Sequence, residues 1–187
     1  MPAMAVVISL LRAVNVGGTS IIKMAELRAL FESLKFKDVQ TYIQSGNVVF
    51  RTDEKDLSKL AKRIQDAITK KFGTTPGVML RTAAEIRNLI ARNPFAKRRD
   101  IEPAKLHVFF LGAEVSRTAC EQLRALPVKE EIVPSGRELF IYFPNGAGKS
   151  KLPWAKVDKI CETQGTGRNW NSVTKLLGMA EALKSAK

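Results

Sequence analysis

One histidine and two cysteines are all this sequence offers a transition metal, and their placement argues against a site. His107 lies in the strand-like run KLHVFFLG, with no second His or Cys at ligand spacing. Cys120 and Cys161 belong to no C-x-x-C pair, and each falls on an apolar helical stripe, as a reduced structural cysteine does. No apolar run approaches the ~20 residues that span a bilayer. The start, MPAMAVVISLLRAVNVGG, has no basic leader, and Arg12 and Asn15 interrupt its apolar run. No secretory signal or membrane partner is expected, and the cytoplasm is the expected compartment. No G-x-G-x-x-G is present, and NGAGKS imitates a phosphate-binding P-loop only until Phe143, where that pattern requires glycine. No carboxylate pair is placed for acid–base work, and a lone strand histidine cannot complete a Ser-His-Asp set. No metal and no cofactor are therefore expected. Whether the chain is an enzyme stays open, as does its oligomeric state.

Acidic residues are also scarce: 18 against 31 Lys and Arg in 187 residues, a net charge of +13. Such an excess favours anionic partners, either nucleic acid or phosphorylated small molecules. It is not a tail: residues 1–94 hold 15 basic and 8 acidic residues, leaving 16 and 10 for the rest. The local cluster AKRRDIEPAK, with Lys97, Arg98, Arg99 and Lys105, reads as a solvated basic linker over 95–105.

The apolar pattern alternates strand and helix. AVVISLLR is a continuous run of strand length, expected to be buried on both faces. Met24, Leu27, Leu30, Phe31 and Leu34 make a helical stripe. DVQTYIQ and GNVVFRT form a hairpin at Ser45-Gly46. A helix with an acidic first turn from Asp53 carries Leu57, Leu60, Ile64, Ile68 and Phe72 and closes at Gly73. The strand PGVMLR follows, and Thr82 and Glu85 form a capping box for a helix ending before Asn93-Pro94. The second half repeats the order: strand LHVFFLG, a helix stopped by Pro127, a hairpin around Ser135-Gly136, a helix from about Pro153, then a last helix from about Ser172.

Three pairs, Ser45-Gly46 with Ser135-Gly136, Phe50 with Phe140, and Thr82 with Ser172, share an offset of 90 residues. The fold class expected is α+β: a tandem duplication of two ferredoxin-like (split βαβ) subdomains, each βαββαβ with an added helix. The first repeat would span 1–94 and the second, with the C-terminal helix, 106–187.

GRNWN then stands out. Its first-half equivalent is roughly VMLRT, a plain apolar strand whose helix is capped by Thr82 alone, so GRNWN reads as a short turn that has taken that strand's place. A cap needs one hydrogen-bonding side chain, so Arg168, Asn169, Trp170 and Asn171 together suggest a ligand site between the halves. Trp170 could stack on a base or fill core. The polar residues at turns and strand ends complete the candidate ligand-binding set: Arg12, Asn15, Gln44, Ser45, Asn47 and Lys151. Guanidinium, ammonium and amide groups recognise phosphates, carboxylates and base edges rather than supplying protons.

The stretches LLRAVNVGG, MAELRALFESLKFKDVQTYIQSGNVVF, KSKLPW and GTGRNWNSVTKLL resemble the bacterial domain-of-unknown-function family 1697, over about residues 5–183. The resemblance implies tandem ferredoxin-like subdomains and no established activity. In the family the glycine pair is usually followed as in NVGGKN; here Thr19-Ser20 follows and the basic residue is missing, so the resemblance carries no ligand contact over to those two positions.

The leading expectation is a binding module for an anionic ligand, nucleic acid foremost. Against it, the aromatic signature of RNA-recognition sheets is missing. The alternative is an enzyme acting on a phosphorylated or nucleotide-like small molecule in a cleft between the repeats. A third reading, an assembly factor, would show as an exposed apolar patch.

Overall fold

A computed structural model describes residues 4–18 and 21–185. Thr19 and Ser20, singled out above, lie outside the described residues. The chain divides into two units, Met1–Asn88 with Lys175–Lys187, and Leu89–Thr174.

The first unit begins with β1 (Ala5–Arg12), α1 (Met24–Ser33), β2 (Lys37–Tyr42), β3 (Asn47–Thr52), α2 (Leu57–Phe72) and β4 (Gly77–Thr82). Helix α3 (Ala83–Ala91) carries the chain across the division. The second unit holds β5 (Leu106–Leu111), α4 (Arg117–Arg124), β6 (Glu131–Ser135), β7 (Glu138–Tyr142), α5 (Trp154–Cys161) and β8 (Gly165–Asn169). Helix α6 (Trp170–Ser185) starts in the second unit and ends in the first. Among the described residues the architecture is mixed α and β, with six α-helices and two four-stranded antiparallel sheets ordered β2-β3-β1-β4 and β6-β7-β5-β8.

Each sheet is covered by the helices of its own unit. In the first, Val7, Leu11, Val48, Phe50 and Leu80 meet Leu27, Phe31, Leu60, Ile64 and Ile68 from α1 and α2. The opposite face is also buried: Ile8, Leu10 and Val49 have no exposed surface, which explains why β1 shows no period-two alternation. In the second unit Leu111, Leu139, Ile141 and Phe143 meet Leu123, Val157 and Cys161.

Local signals fix most helix ends. Asp56 caps α2 by accepting from the Ser58 and Lys59 N–H groups, and Gly73, at φ 70°, closes it. The expected acidic first turn at Asp53 therefore lies just ahead of the helix, where Glu54 accepts from the Asp56 N–H. Thr82 and Glu85 form the expected capping box: the Glu85 N–H donates to Thr82 Oγ1 and the Thr82 N–H to Glu85 Oε2.

Two expectations need correction. Helix α6 starts at Trp170, not Ser172, because Asn169 Oδ1 accepts from the Ser172 N–H at 2.9 Å and caps the helix. The constant offset of 90 does not relate equivalent places either. Val7 faces Thr82 and His107 faces Asn169, so the two caps close matching strands 87 residues apart. Phe50 packs in the helix-covered core of its sheet, whereas Phe140 lies beside Val108 outside it. Unequal loops break the spacing: Ile43–Gly46 is a four-residue turn, while Gly136-Arg137 is a two-residue one.

Candidate functional site

The candidate residues of the first unit gather at one end of its sheet. Arg12 ends β1 opposite Gly77. Asn15, left-handed at φ 57°, donates from Nδ2 to the carbonyls of Ile22 (3.0 Å) and Gln44 (2.7 Å) and accepts from the Ile22 N–H. It ties the glycine loop to the β2–β3 turn. Asn47 is fully buried, and its Nδ2 donates to the Tyr42 carbonyl and to Ser45 Oγ, closing the same turn. Gln44 is exposed and Ser45 half-buried. Gly46 is required here, since a Cβ would come within 2.8 Å of Leu11 Cβ and φ is 77°. These amides hold the backbone of the β2–β3 turn, where Ile43 is exposed, and of the loop after β1, where Val16 and Ile21 are exposed.

In the second unit GTGRN is itself strand β8, a correction to its reading as a turn that replaced a strand. Arg168 is 6% exposed and donates from Nη1 to Thr166 Oγ1 (2.7 Å) and to the Gly167 carbonyl (2.9 Å). Burial pulls its pKa down to about 10, so it remains a cation at neutral pH. The first unit holds a counterpart that was missed inside the apolar run VMLRT. Arg81 is 2% exposed, donates to the Leu80 carbonyl at 2.9 Å, and faces Ile8 as Arg168 faces Val108. An arginine followed by a capping side chain thus closes both strands. Trp170 is half-buried with its ring centroid 6.4 Å from that of Phe140, and Asn171 is exposed.

The chemistry left at the surface of the second unit lies elsewhere. The segment after β7 makes a short 3-10 turn at Ala147–Lys149 before α5. Together with residues 127–130, which precede β6, it forms a depression of about 330 Å³ lined by Lys129, Lys149, Lys151, Asn145, Ser150 and Glu130. The three lysines are exposed, and the Ser150 hydroxyl donates to Glu130 Oε1 at 2.6 Å. Pro127 also borders a second depression, lined by Lys156 and Lys159 of α5. Of these lysines only Lys151 was a candidate from sequence; Lys129 is separated from Lys149 by two strands, and only the fold brings them together. By contrast, Arg98 is engaged by Asp100 and Glu131, and Lys105 by Glu102, which raises the pKa of both cations.

Trp154, at the start of α5, closes the stretch KSKLPW and was not among the candidate residues. Its ring lies 4.5 Å from Phe109 and 6.4 Å from Phe143, and it keeps 38% of its surface exposed. His107 meets Phe143 edge-on at 5.1 Å, and burial lowers its pKa, opposed by a hydrogen bond with the Lys105 backbone. Burial likewise pushes the Cys161 thiol up to about 11. Among the described residues no cluster of three or more His, Cys, Asp or Glu could hold a metal ion, and no helix is long and apolar enough to cross a membrane.

Among curated proteins none is similar to this chain. A solved structure described as that of conserved bacterial protein SP0830 from Streptococcus pneumoniae shares the fold at a TM-score of 0.72 and 22% identity, over 95% of this chain and 99% of that one. The sequence profile described as "Protein of unknown function (DUF1697)" matches residues 4–140. The match takes in all of the first sheet and reaches into β7, ahead of KSKLPW and GRNWN. On that span the chain belongs to the DUF1697 family.

Proposed function

We propose that this protein is a binding module for an anionic ligand, with nucleic acid as the polyanion, and that the second unit carries the contact. The observation behind this reading is the lysine-lined depression: Lys129, Lys149 and Lys151 surround a single carboxylate, Glu130, which Ser150 holds. Lysines attract phosphates as mobile point charges, giving binding that is salt-dependent and tolerant of sequence. The net charge of +13 adds long-range attraction. Arg12, Asn15, Gln44, Ser45 and Asn47 then shape the first unit's turn, while Arg168, Asn169, Trp170 and Asn171 join β8 to α6. We read the two sheets as a tandem ferredoxin-like duplication. Their shared strand order and the matched Arg81 and Arg168 support that reading.

The test is a salt titration of oligonucleotide binding. Each phosphate neutralised contributes about −0.7 to the slope of log K against log salt on a single strand. Lys149→Glu with Lys151→Glu should flatten the slope by roughly 1–2 and weaken binding at low salt. An unchanged slope would remove the depression from the reading. A response to mononucleotides or phosphorylated metabolites, and none to long polyanions, would favour a small-molecule enzyme instead.

A further inference from the structure

We infer that Trp154 is a base-stacking platform, and that the ligand of the lysine-lined surface is a single-stranded nucleic acid rather than a duplex. This rests on the anion-binding reading above and names the chemistry of its ligand.

Three observations carry it. Trp154 is exposed where a large aromatic is costly to leave in water, yet it is not loose. Its indole is backed by Phe109 at 4.5 Å with the planes 35° apart, and by Phe143 at 6.4 Å. Phe109 in turn lies over Gly167, where a Cβ would come within 2.6 Å of its ring. A ring backed by packed neighbours and still 38% exposed offers surface for stacking at little entropic cost. The second observation is its surroundings. Trp154 follows Lys151 by three residues, and Phe143 beneath it immediately precedes Pro144, a wall of the lysine-lined depression. Lys156, two residues beyond, lines the neighbouring depression. In the chain the indole thus falls between lysines that line two surfaces of one unit, Lys151 before it and Lys156 after it. Cations following a phosphate backbone with an interleaved aromatic are the pattern of single-strand binding, because every base offers a π-face and none need be read by its edge. A duplex hides those faces within its stack. Third, the place is unlike its partner in the first unit. There Leu57 starts the corresponding helix, half-buried against the core.

The sheets themselves offer no such platform. Ile8, Leu10, Val108 and Phe140 are at most 1% exposed, so neither sheet presents an open central face to bases. Stacking therefore falls to a side chain away from the sheet faces, and Trp154 is the exposed aromatic among the described residues.

The experiment is a fluorescence and affinity titration of the full chain with three probes: single-stranded oligodeoxythymidylate, the matching duplex, and inorganic polyphosphate. Three proteins are compared: wild type, Trp154→Phe and Trp154→Leu, each first shown by thermal unfolding to be folded. The expected result has three parts. The single strand quenches wild-type tryptophan emission while polyphosphate binds without quenching. The quenching is lost in both variants. Affinity for the single strand falls roughly 5- to 100-fold in Trp154→Leu, and less in Trp154→Phe, with polyphosphate affinity unchanged. Equal single-strand affinity in wild type and Trp154→Leu overturns the stacking role while leaving the anion reading intact. Duplex bound as tightly as single strand, with the same quenching, overturns the strand preference. Binding to none of the three probes overturns this inference and the reading beneath it together.

Discussion

Helix α2 runs sixteen residues across the first sheet, while α5 runs eight across the second. The shorter helix leaves the second unit to cover its sheet with side chains instead. Phe109, Trp154 and Phe143 spread over β5 and β8, and β8 carries Gly165 and Gly167 where Leu111 and Phe109 press against it. In the first unit the matching strand β4 has Val78 and Leu80 at those positions, packed against a core that leaves Ser9 fully buried. The difference teaches that one strand order can be sealed in two ways. The long-helix way buries Leu60, Ile64 and Ile68 completely; the aromatic way leaves the Trp154 indole 38% exposed.

Substitutions can break this comparison, beginning with the helices. Ile64→Ala in α2 removes a fully buried side chain and should cost about 2–5 kcal/mol in urea unfolding. Ile160→Ala in α5, where the side chain is only half-buried, should cost well under half as much. Equal losses would mean that α5 seals its sheet as α2 does. Gly167→Ala should destabilise by roughly 1–3 kcal/mol because its Cβ meets Phe109 at 2.6 Å. Its control is Gly178→Ala in α6. There a Cβ meets nothing within 4 Å, and the substitution should stabilise by roughly 0.5–1 kcal/mol.

The caps sharpen the likeness rather than the contrast. Thr82→Ala and Asn169→Ala should each lower stability by about 0.5–2 kcal/mol, since each side chain accepts from the third N–H beyond it. A loss at one site alone would separate the two junctions.

The smallest effect is one of pH. His107 belongs to the second unit and has a folded pKa below its ordinary 6.5, chiefly through burial. Protons then bind the unfolded chain more readily. Stability should fall as pH drops from 6.5 toward the lower folded value, and level off below it. His107→Phe should remove that part of the pH dependence, read as unfolding midpoints between neutral and mildly acidic pH.

Much of this fold was legible because apolar spacing records it locally. The order of strands and helices, the capping box at Thr82 and the stop at Gly73 all rest on residues within one element. What escaped depends on contacts across elements. Asn169, rather than Ser172, caps α6 because β8 carries the chain directly into the helix, and strand and turn share the same letters in GTGRN. Arg81 was hidden in an apolar run, though its role matches the conspicuous Arg168. Asn47 and Asn15 stood out as polar residues at a hairpin, and their hydrogen bonds are spent on turn backbone. The lysine depression was the least legible, since Lys129 and Lys149 are distant in sequence and unremarkable singly. Trp154 could be placed on its helix, but no periodicity tells which large aromatic stays exposed.

The central claim is that ligand contact belongs to the second unit's loops. Backbone amide chemical-shift mapping with oligodeoxythymidylate tests it most directly. The account predicts shifts concentrated at residues 127–130 and 144–159, with little change around Asn15, Gln44 and Asn47. Shifts centred instead on Arg12, Asn15 and the β2–β3 turn would contradict it.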